Sequence, residues 1–239
     1  MKLNWNYIKM IGLIAVVAFL FGFANKRHNK RDFTGVKVQF GQGENRFLTV
    51  SDVKKSLGLK VSDSASNLNY VKNNLRNFEA HLLENHLIKS AEVYIGINGE
   101  LKTKIIQRSP IARIVAEPHY YMDENGGKMP LSNHFSARVP LVEIADDEQV
   151  KKLFPVLKKI HTDEFLSTLV TDLNFKEKNN IKLHLRDMPM DINFGKAEKV
   201  QLKFNNLKAF YKKMQKGESS NQYKEINLTF ENQVVATKK

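Results

Sequence analysis

Ser90-Ala91-Glu92-Val93-Tyr94-Ile95-Gly96-Ile97-Asn98-Gly99-Glu100-Leu101-Lys102-Thr103-Lys104-Ile105-Ile106 is the stretch that decides the fold. Ala91, Val93, Ile95 and Ile97 alternate with Glu92, Tyr94 and Gly96, the period of two that a half-buried strand requires. Asn98-Gly99 is the strongest short hairpin signal, because both residues accept the positive φ of a tight turn. Leu101 to Ile106 then returns as the second strand. Working back toward the N-terminus, Leu68, Val71, Leu75, Phe78 and Leu82 recur every three or four residues, which predicts an amphipathic helix from Leu68 to Glu84. Before it come a polar loop at Ser62–Asn67 and a short helix at Ser51–Leu57. Thr49 caps that helix with an acid three residues on, and Gly58 ends it. Val36-Lys37-Val38-Gln39-Phe40 alternates as a first strand. The order is β-α-α-β-β.

Working forward, Arg108-Ser109-Pro110 opens a second region. Short strands are expected at Ile111–Glu117, Tyr120–Asp123 and Pro140–Ile144, with a tight turn at 123–127. A helix follows at about Asp147–His161, then strands at Leu173–Glu177 and Ile181–Leu185. Val200, Phe204, Leu207, Tyr211 and Met214 mark another amphipathic helix. The chain closes with alternating strands at Tyr223–Phe230 and Gln233–Ala236. The fold class is therefore α+β. A strand this close to a terminus is often a sheet edge, with N–H and C=O groups open to a partner strand; the pattern fits equally a strand that simply closes the sheet.

The 239 residues leave room for one or two modest domains, which excludes a barrel-sized enzyme or a multi-pass transporter. The net charge is +13, from 38 basic and 25 acidic residues. Such an excess first suggests nucleic acid or a membrane surface. Residues 1–31 hold six of the basic residues and no acid. Between their basic flanks lies an uncharged apolar stretch, Met10–Phe23, extended by Tyr7, Ile8 and Ala24. At about 20 residues per bilayer crossing this predicts a short single N-terminal transmembrane helix. Trp5 and Tyr7 lie where interfacial aromatics anchor a helix end, and Leu13, Val16, Phe19 and Phe23 are expected to belong to the same membrane anchor. The alternative is a cleaved signal peptide, for which Gly22-Phe23-Ala24 supplies small residues at the two positions read by the peptidase. Bulky Phe19, Leu20 and Phe21 argue for an uncleaved anchor. The charge bias opposes an exported bulk, because Lys26, Arg27, Lys30 and Arg31 follow the span and only Lys2 and Lys9 precede it.

Catalytic chemistry is hard to place. The chain has no Cys, so thiolate zinc sites and cysteine nucleophiles are excluded. His81 and His86 are five residues apart, about 500° of helical rotation, and do not share a face as a metal pair would. Gly41-Gln42-Gly43 lacks the third glycine and the lysine of a phosphate loop, and no Gly-x-Ser-x-Gly elbow occurs. The acid pairs Asp123 with Glu124 and Asp146 with Asp147 fall in turn and helix-cap contexts. Seven lysines between Lys196 and Lys216 could meet a polyanion, but Phe204 and Tyr211 fall on the apolar stripe rather than among them, where base stacking would need them. No catalytic residue, metal site, cofactor or nucleic-acid partner is expected.

The order of these elements, with Gln107-Arg-Ser-Pro-Ile-Ala112, Tyr121-Met-Asp-Glu-Asn-Gly126, Met129-Pro-Leu131, Val139-Pro140, Asn193-Phe-Gly-Lys196 and Tyr223-Lys-Glu-Ile-Asn-Leu228, resembles the bacterial cell-division family FtsQ/DivIB. Gln107 stands where the family usually has Glu, and Asn227 where Asp is usual. The resemblance implies an anchor and basic flank over 1–31, a POTRA-like domain over 32–107, and a mixed β domain with flanking helices and C-terminal edge strands over 108–239. It implies a non-enzymatic bitopic scaffold of the divisome in the cytoplasmic membrane at the septum, its N-terminus in the cytoplasm and its bulk outside. Its partners would be small coiled-coil division proteins of the FtsB and FtsL type and the septal peptidoglycan synthase complex. The implied partner-binding residues are Asn227, Thr229, Phe230, Asn232 and Val234. The competing reading is a membrane-anchored POTRA-type adaptor of a transport or envelope-assembly machine. That class normally carries a β-barrel, for which no length remains.

Overall fold

The computed structural model describes residues 5–29, 33–41, 47–58, 68–144, 146–177, 180–186, 188–217, 222–231 and 233–239. The loop expected at Ser62–Asn67 and the Gln42-Gly43 turn lie outside these residues, as does Asn232. The chain divides into two compact units, Met1–Gln107 and Arg108–Lys239.

The first unit contains α1 (Trp5–Asn29), β1 (Gly35–Phe40), α2 (Val50–Ser56), α3 (Leu68–Asn73), α4 (Leu75–Leu83), β2 (Ile88–Ile95) and β3 (Glu100–Gln107). The sheet order is β1-β3-β2, with β1 parallel to β3 and β2 antiparallel to it. Leu101 and Ile105 of the central strand are fully buried, and Val53, Val71, Phe78 and Leu82 of the helices are buried too. Thr49 and Asp52 form a reciprocal capping box on α2, with Thr49 N donating to Asp52 Oδ2 at 2.8 Å and Asp52 N to Thr49 Oγ1 at 3.2 Å. The hairpin turn is shifted from a two-residue Asn-Gly loop. Gly99 N bonds to Gly96 O at 3.0 Å, so Ile97 and Asn98 are its central residues and Gly99 takes the left-handed φ of 82°. The helix expected from Leu68 to Glu84 breaks at Asn74, whose Nδ2 turns back to Tyr70 O at 2.9 Å and whose Oδ1 accepts from Asn77. Asparagine amides compete with the helical ladder in this way.

The expected transmembrane helix is overturned. Among the described residues no helix is long and apolar enough to cross a membrane. The reason is visible at the ends of α1: Lys9 on one side and Asn25, Lys26 and Arg27 on the other confine the uncharged stretch to Met10–Ala24. That is about 22 Å of helix at ~1.5 Å per residue, against a hydrocarbon core of ~30 Å. The anchor roles given to Trp5, Tyr7, Leu13, Val16, Phe19 and Phe23 fall with it. Trp5, Leu13, Val16, Phe19 and Phe23 are exposed on α1, and Tyr7 is a residue of the same helix.

The second unit is built on one mixed sheet. Its strands are β4 (Pro110–Val115), β5 (Tyr120–Asp123), β6 (Lys128–Pro130), β7 (Leu141–Glu143), β8 (Val170–Glu177), β9 (Asn180–Leu185), β10 (Met188–Gly195), β11 (Tyr223–Asn227) and β12 (Val235–Lys238). They lie in the order β12-β11-β10-β9-β8-β7-β4-β5-β6. Helices α5 (Asp147–Thr162), α6 (Glu164–Leu169) and α7 (Val200–Gly217) share a single core with the alternate buried residues of the strands. Leu153, Leu157, Phe204 and Leu207 meet Leu173, Leu183, Ile192 and Phe194 in that core. Strands β10 and β11 are parallel, as are β7 and β8, and each pair is joined through helices that cover the sheet. Asp163 sits at the junction of α5 and α6. Its Oδ1 accepts from Leu166 N at 3.3 Å, capping α6, and its carboxylate takes Lys208 Nζ of α7 at 2.5–2.7 Å.

Two outcomes follow. Gln107 Oε1 accepts the buried Phe47 N–H at 3.0 Å, tying the entry to α2 to the end of β3. Gln107→Leu is expected to cost about 1–3 kcal/mol in chemical denaturation, the range for a buried donor deprived of its acceptor; unchanged stability would show that the contact contributes nothing. The hydrogen bond from Lys208 chiefly holds the Asp163 carboxyl below the usual carboxylate range. A folded-state value lowered in this way stabilises above the unfolded value of ~3.9 and is lost as pH falls through the folded one. Asp163→Asn should therefore melt at lower temperature than the parent at pH 7, the two converging as pH falls through the lowered folded-state value. Parallel melting curves across that range would contradict the assignment.

Candidate functional site

The C-terminal end of the sheet is assembled by a crossover. Strand β10 leads into α7, which returns the chain beside β10 as β11, with Asn193 opposite Asn227. Ile226 and Leu228 are fully buried, so this return is locked by packing. Leu228 N also donates to Asn193 O at 2.9 Å. The next residues leave the sheet. Asn227 Oδ1 accepts from Thr229 N at 2.9 Å and from Thr229 Oγ1 at 2.7 Å, an Asx-type turn that bends the chain outward. Phe230 follows, 46% exposed. Glu231 pairs with Lys199, and its carbonyl accepts from Asn206 Nδ2 at 3.1 Å, so α7 holds the connection. At Gly195 the φ is +74°, and a Cβ there would stand 2.7 Å from Thr229 Cγ2. Only glycine lets the end of β10 lie against this turn.

The chain then turns back as β12, antiparallel to β11, with Asn227 opposite Val235 and Ile226 opposite Ala236. Among the described residues no strand pairs with the outer side of β12. A strand in that position presents a row of main-chain donors and acceptors to any extended segment that arrives. Two other edges are blunted. At the far end of the sheet β6 has three residues and carries Pro130, which lacks an N–H. In the first unit, the N–H of Val93 on edge strand β2 is taken by Glu79 Oε1 of α4 at 2.9 Å.

The residues singled out in the sequence occupy different parts of this edge. Asn227 lies in β11, an interior strand with neighbours on both sides. Thr229 and Phe230 form the exposed turn, and Val234 packs against the core just before β12. The open main chain belongs instead to Val235, Ala236, Thr237 and Lys238. Alternation over Gln233–Ala236 marked a strand there, but its edge position follows from the parallel β10–β11 pairing, which leaves no local trace in the sequence.

Candidate chemistry elsewhere is structural. Asp123 Oδ1 accepts from Asn125 N and Gly127 N, and its Oδ2 takes Arg108 Nη1 at 3.0 Å, so it holds its turn. Asp146 caps α5 through Gln149 N at 2.8 Å. His184 of β9 lies between Asp172 of β8 and Asp191 of β10, and Lys182 Nζ reaches Asp191 at 2.5 Å, chiefly holding that carboxyl below its ordinary range. These groups tie three adjacent strands together on the face away from the helices. No group of three or more acidic or imidazole side chains that could hold a metal ion occurs among the described residues. On α7, Phe204 is fully buried and Tyr211 9% exposed, which denies bases a stacking platform at those two residues.

The second unit, with its crossover and terminal edge, is the part that a family match covers. A protein-family model described as FtsQ/DivIB, C-terminal related, matches residues 109–237, more than half of the chain. No curated protein matches the sequence. The match supports a role in cell division, and the family is one of non-enzymatic division proteins. By this match and by the sheet it covers, the chain belongs to the FtsQ/DivIB C-terminal-related family.

Proposed function

We propose that this protein is a non-enzymatic scaffold of the division machinery, recruiting other division proteins for septal peptidoglycan synthesis by strand addition at β12. The observation that carries the reading is the one-sided pairing of β12 at the edge of the sheet that the family model covers. Main-chain hydrogen bonds to Val235–Lys238 supply affinity, and alternate side chains of the incoming strand supply selectivity. Phe230 and Val235, 46% and 39% exposed, are apolar contacts beside that edge. Its partners are small coiled-coil division proteins of the FtsB and FtsL type, with the synthase complex behind them. The order β1-α2-α3-α4-β2-β3 supports reading the first unit as a POTRA module that holds further partners.

Successive residues of a strand point their N–H groups to opposite sides, so prolines at two adjacent positions test both the inner ladder and the open edge. Val235→Pro and Ala236→Pro are introduced separately, and capture of division proteins from cross-linked cells is measured. One of the two variants is expected to keep its melting temperature while losing capture about tenfold or more. Full capture by both folded variants would refute strand addition.

A further inference from the structure

The open face of the three-stranded sheet in the first unit carries a cationic cleft. Leu101, Thr103 and Ile105 of β3 are buried, so the alternation of a strand puts Lys102 and Lys104 on the opposite face. Lys37 and Gln39 of β1 and Tyr94 of β2 are exposed beside them. Register sets these residues in two rows. Lys102 lies opposite Lys37 on one side and Tyr94 on the other, and Lys104 lies opposite Gln39 and Glu92. A cavity of about 60 Å³ opens over them, with Lys37, Lys102, Lys104, Gln39 and Tyr94 in its lining and no acid.

Like charges directly opposite one another across two strands destabilise a sheet. Lys104 is relieved by Glu92 at 3.8 Å. Lys37 and Lys102 have no such relief. Among the described residues neither makes an ion pair, and neither does Glu100, two residues before Lys102 on the same strand. A lysine on an edge strand has an ordinary use, to discourage pairing with another chain, and that accounts for Lys37 on β1. It does not account for Lys102, which lies on the central strand with neighbours on both sides. The Lys102 side chain also lies close against the sheet. A Cβ at Gly96 would stand 3.0 Å from Lys102 Cε, and Lys102 is half-buried.

The lysine ammoniums, the Gln39 amide and the Tyr94 hydroxyl can all donate hydrogen bonds, and a ligand that accepts from such a set is an oxyanion. Its charge follows from the unpaired cations. Two lysines without a carboxylate call for about two negative charges, which a phosphomonoester carries near pH 7 and a carboxylate or phosphodiester does not. A cavity this small takes the phosphate group and leaves outside whatever it esterifies. We propose that Lys37 and Lys102, with Gln39 and Tyr94, bind the phosphate group of a phosphomonoester on the open face of this sheet. The site belongs to the first unit and does not depend on strand addition at β12.

The probes are glycerol phosphate, dimethyl phosphate and acetate, each titrated at matched ionic strength into the isotope-labelled full chain. Glycerol phosphate is expected to shift the amides of Lys37, Tyr94 and Thr103 and to bind about tenfold more tightly than either other anion. Its affinity should fall about tenfold in Lys102→Gln and persist in Lys102→Arg, which keeps the charge. Absence of binding, shifts confined to other residues, equal binding by acetate or dimethyl phosphate, or indifference to Lys102→Gln would each overturn the proposal. Where glycerol phosphate binds, flotation of the full chain with phosphatidylcholine vesicles, with and without phosphatidic acid, identifies the source of the phosphate. Flotation that requires phosphatidic acid and falls in the double variant Lys37→Gln, Lys102→Gln assigns it to a lipid headgroup. Amide shifts without such flotation assign it to a soluble ester, and either result supports the site.

Discussion

A strand at the rim of a sheet has main-chain hydrogen-bonding groups on one side only, and the groups on its other side need water or a partner. In this protein β12 is one strand so placed, at the edge of the nine-stranded sheet. Everything around it is arranged to keep it there. The crossover through α7 sets β11 beside β10, and Ile226 and Leu228 bury that strand in the core. Asn227 then bends the chain out, while Lys199 and Asn206 of α7 hold Glu231 in place, so that β12 can return antiparallel at the outside. Removal of the crossover would leave β12 with nothing to pair against.

Two of the remaining edges, β6 and β2, show how a chain closes such groups. Pro130 and the three-residue length of β6 leave little ladder to extend, and Glu79 takes a main-chain N–H on β2. Strand β12 has neither device: its residues Val-Ala-Thr-Lys lack proline, and its one lysine stands at the very end. The contrast is the ground on which strand addition at β12 is proposed. It accords with a family of non-enzymatic division proteins. The charge excess that opens the question of nucleic acid has a different meaning here. Part of it lies on α7, whose Phe204 and Tyr211 are buried in the core rather than open for stacking.

Much of the local structure is legible in the residues themselves. The alternation on both sides of Asn98-Gly99 gives the hairpin, and Thr49 with Asp52 gives the start of α2. The stripe Val200, Phe204, Leu207, Tyr211 and Met214 gives α7. Other features carry a local signal of their own. Met188, Met190, Ile192 and Phe194 alternate as clearly as any strand, yet β10 is absent from the sequence reading and α6 with it. The break at Asn74 is written in its side-chain amide and not in the apolar spacing. The N-terminal helix is legible as a helix, but its apolar stretch is too short to carry the membrane reading placed on it. Strand order was not legible at all, because hydrophobic period says which face a residue takes and nothing about which strand lies alongside. For that reason the residues expected at the edge run from Asn227 to Val234, whereas the outermost strand is Val235–Lys238.

The most direct test uses the absence of native cysteine. Single cysteines at Thr237 on β12 and at Lys128 on β6 are both exposed and cannot be confused with any other thiol. Each chain is expressed in dividing cells and treated with a short thiol-reactive cross-linker, and the conjugated proteins are identified by mass spectrometry. Strand addition at β12 predicts that Thr237→Cys links to another division protein and that Lys128→Cys does not. Equal conjugation from both positions, or conjugation from Lys128→Cys alone, would contradict it.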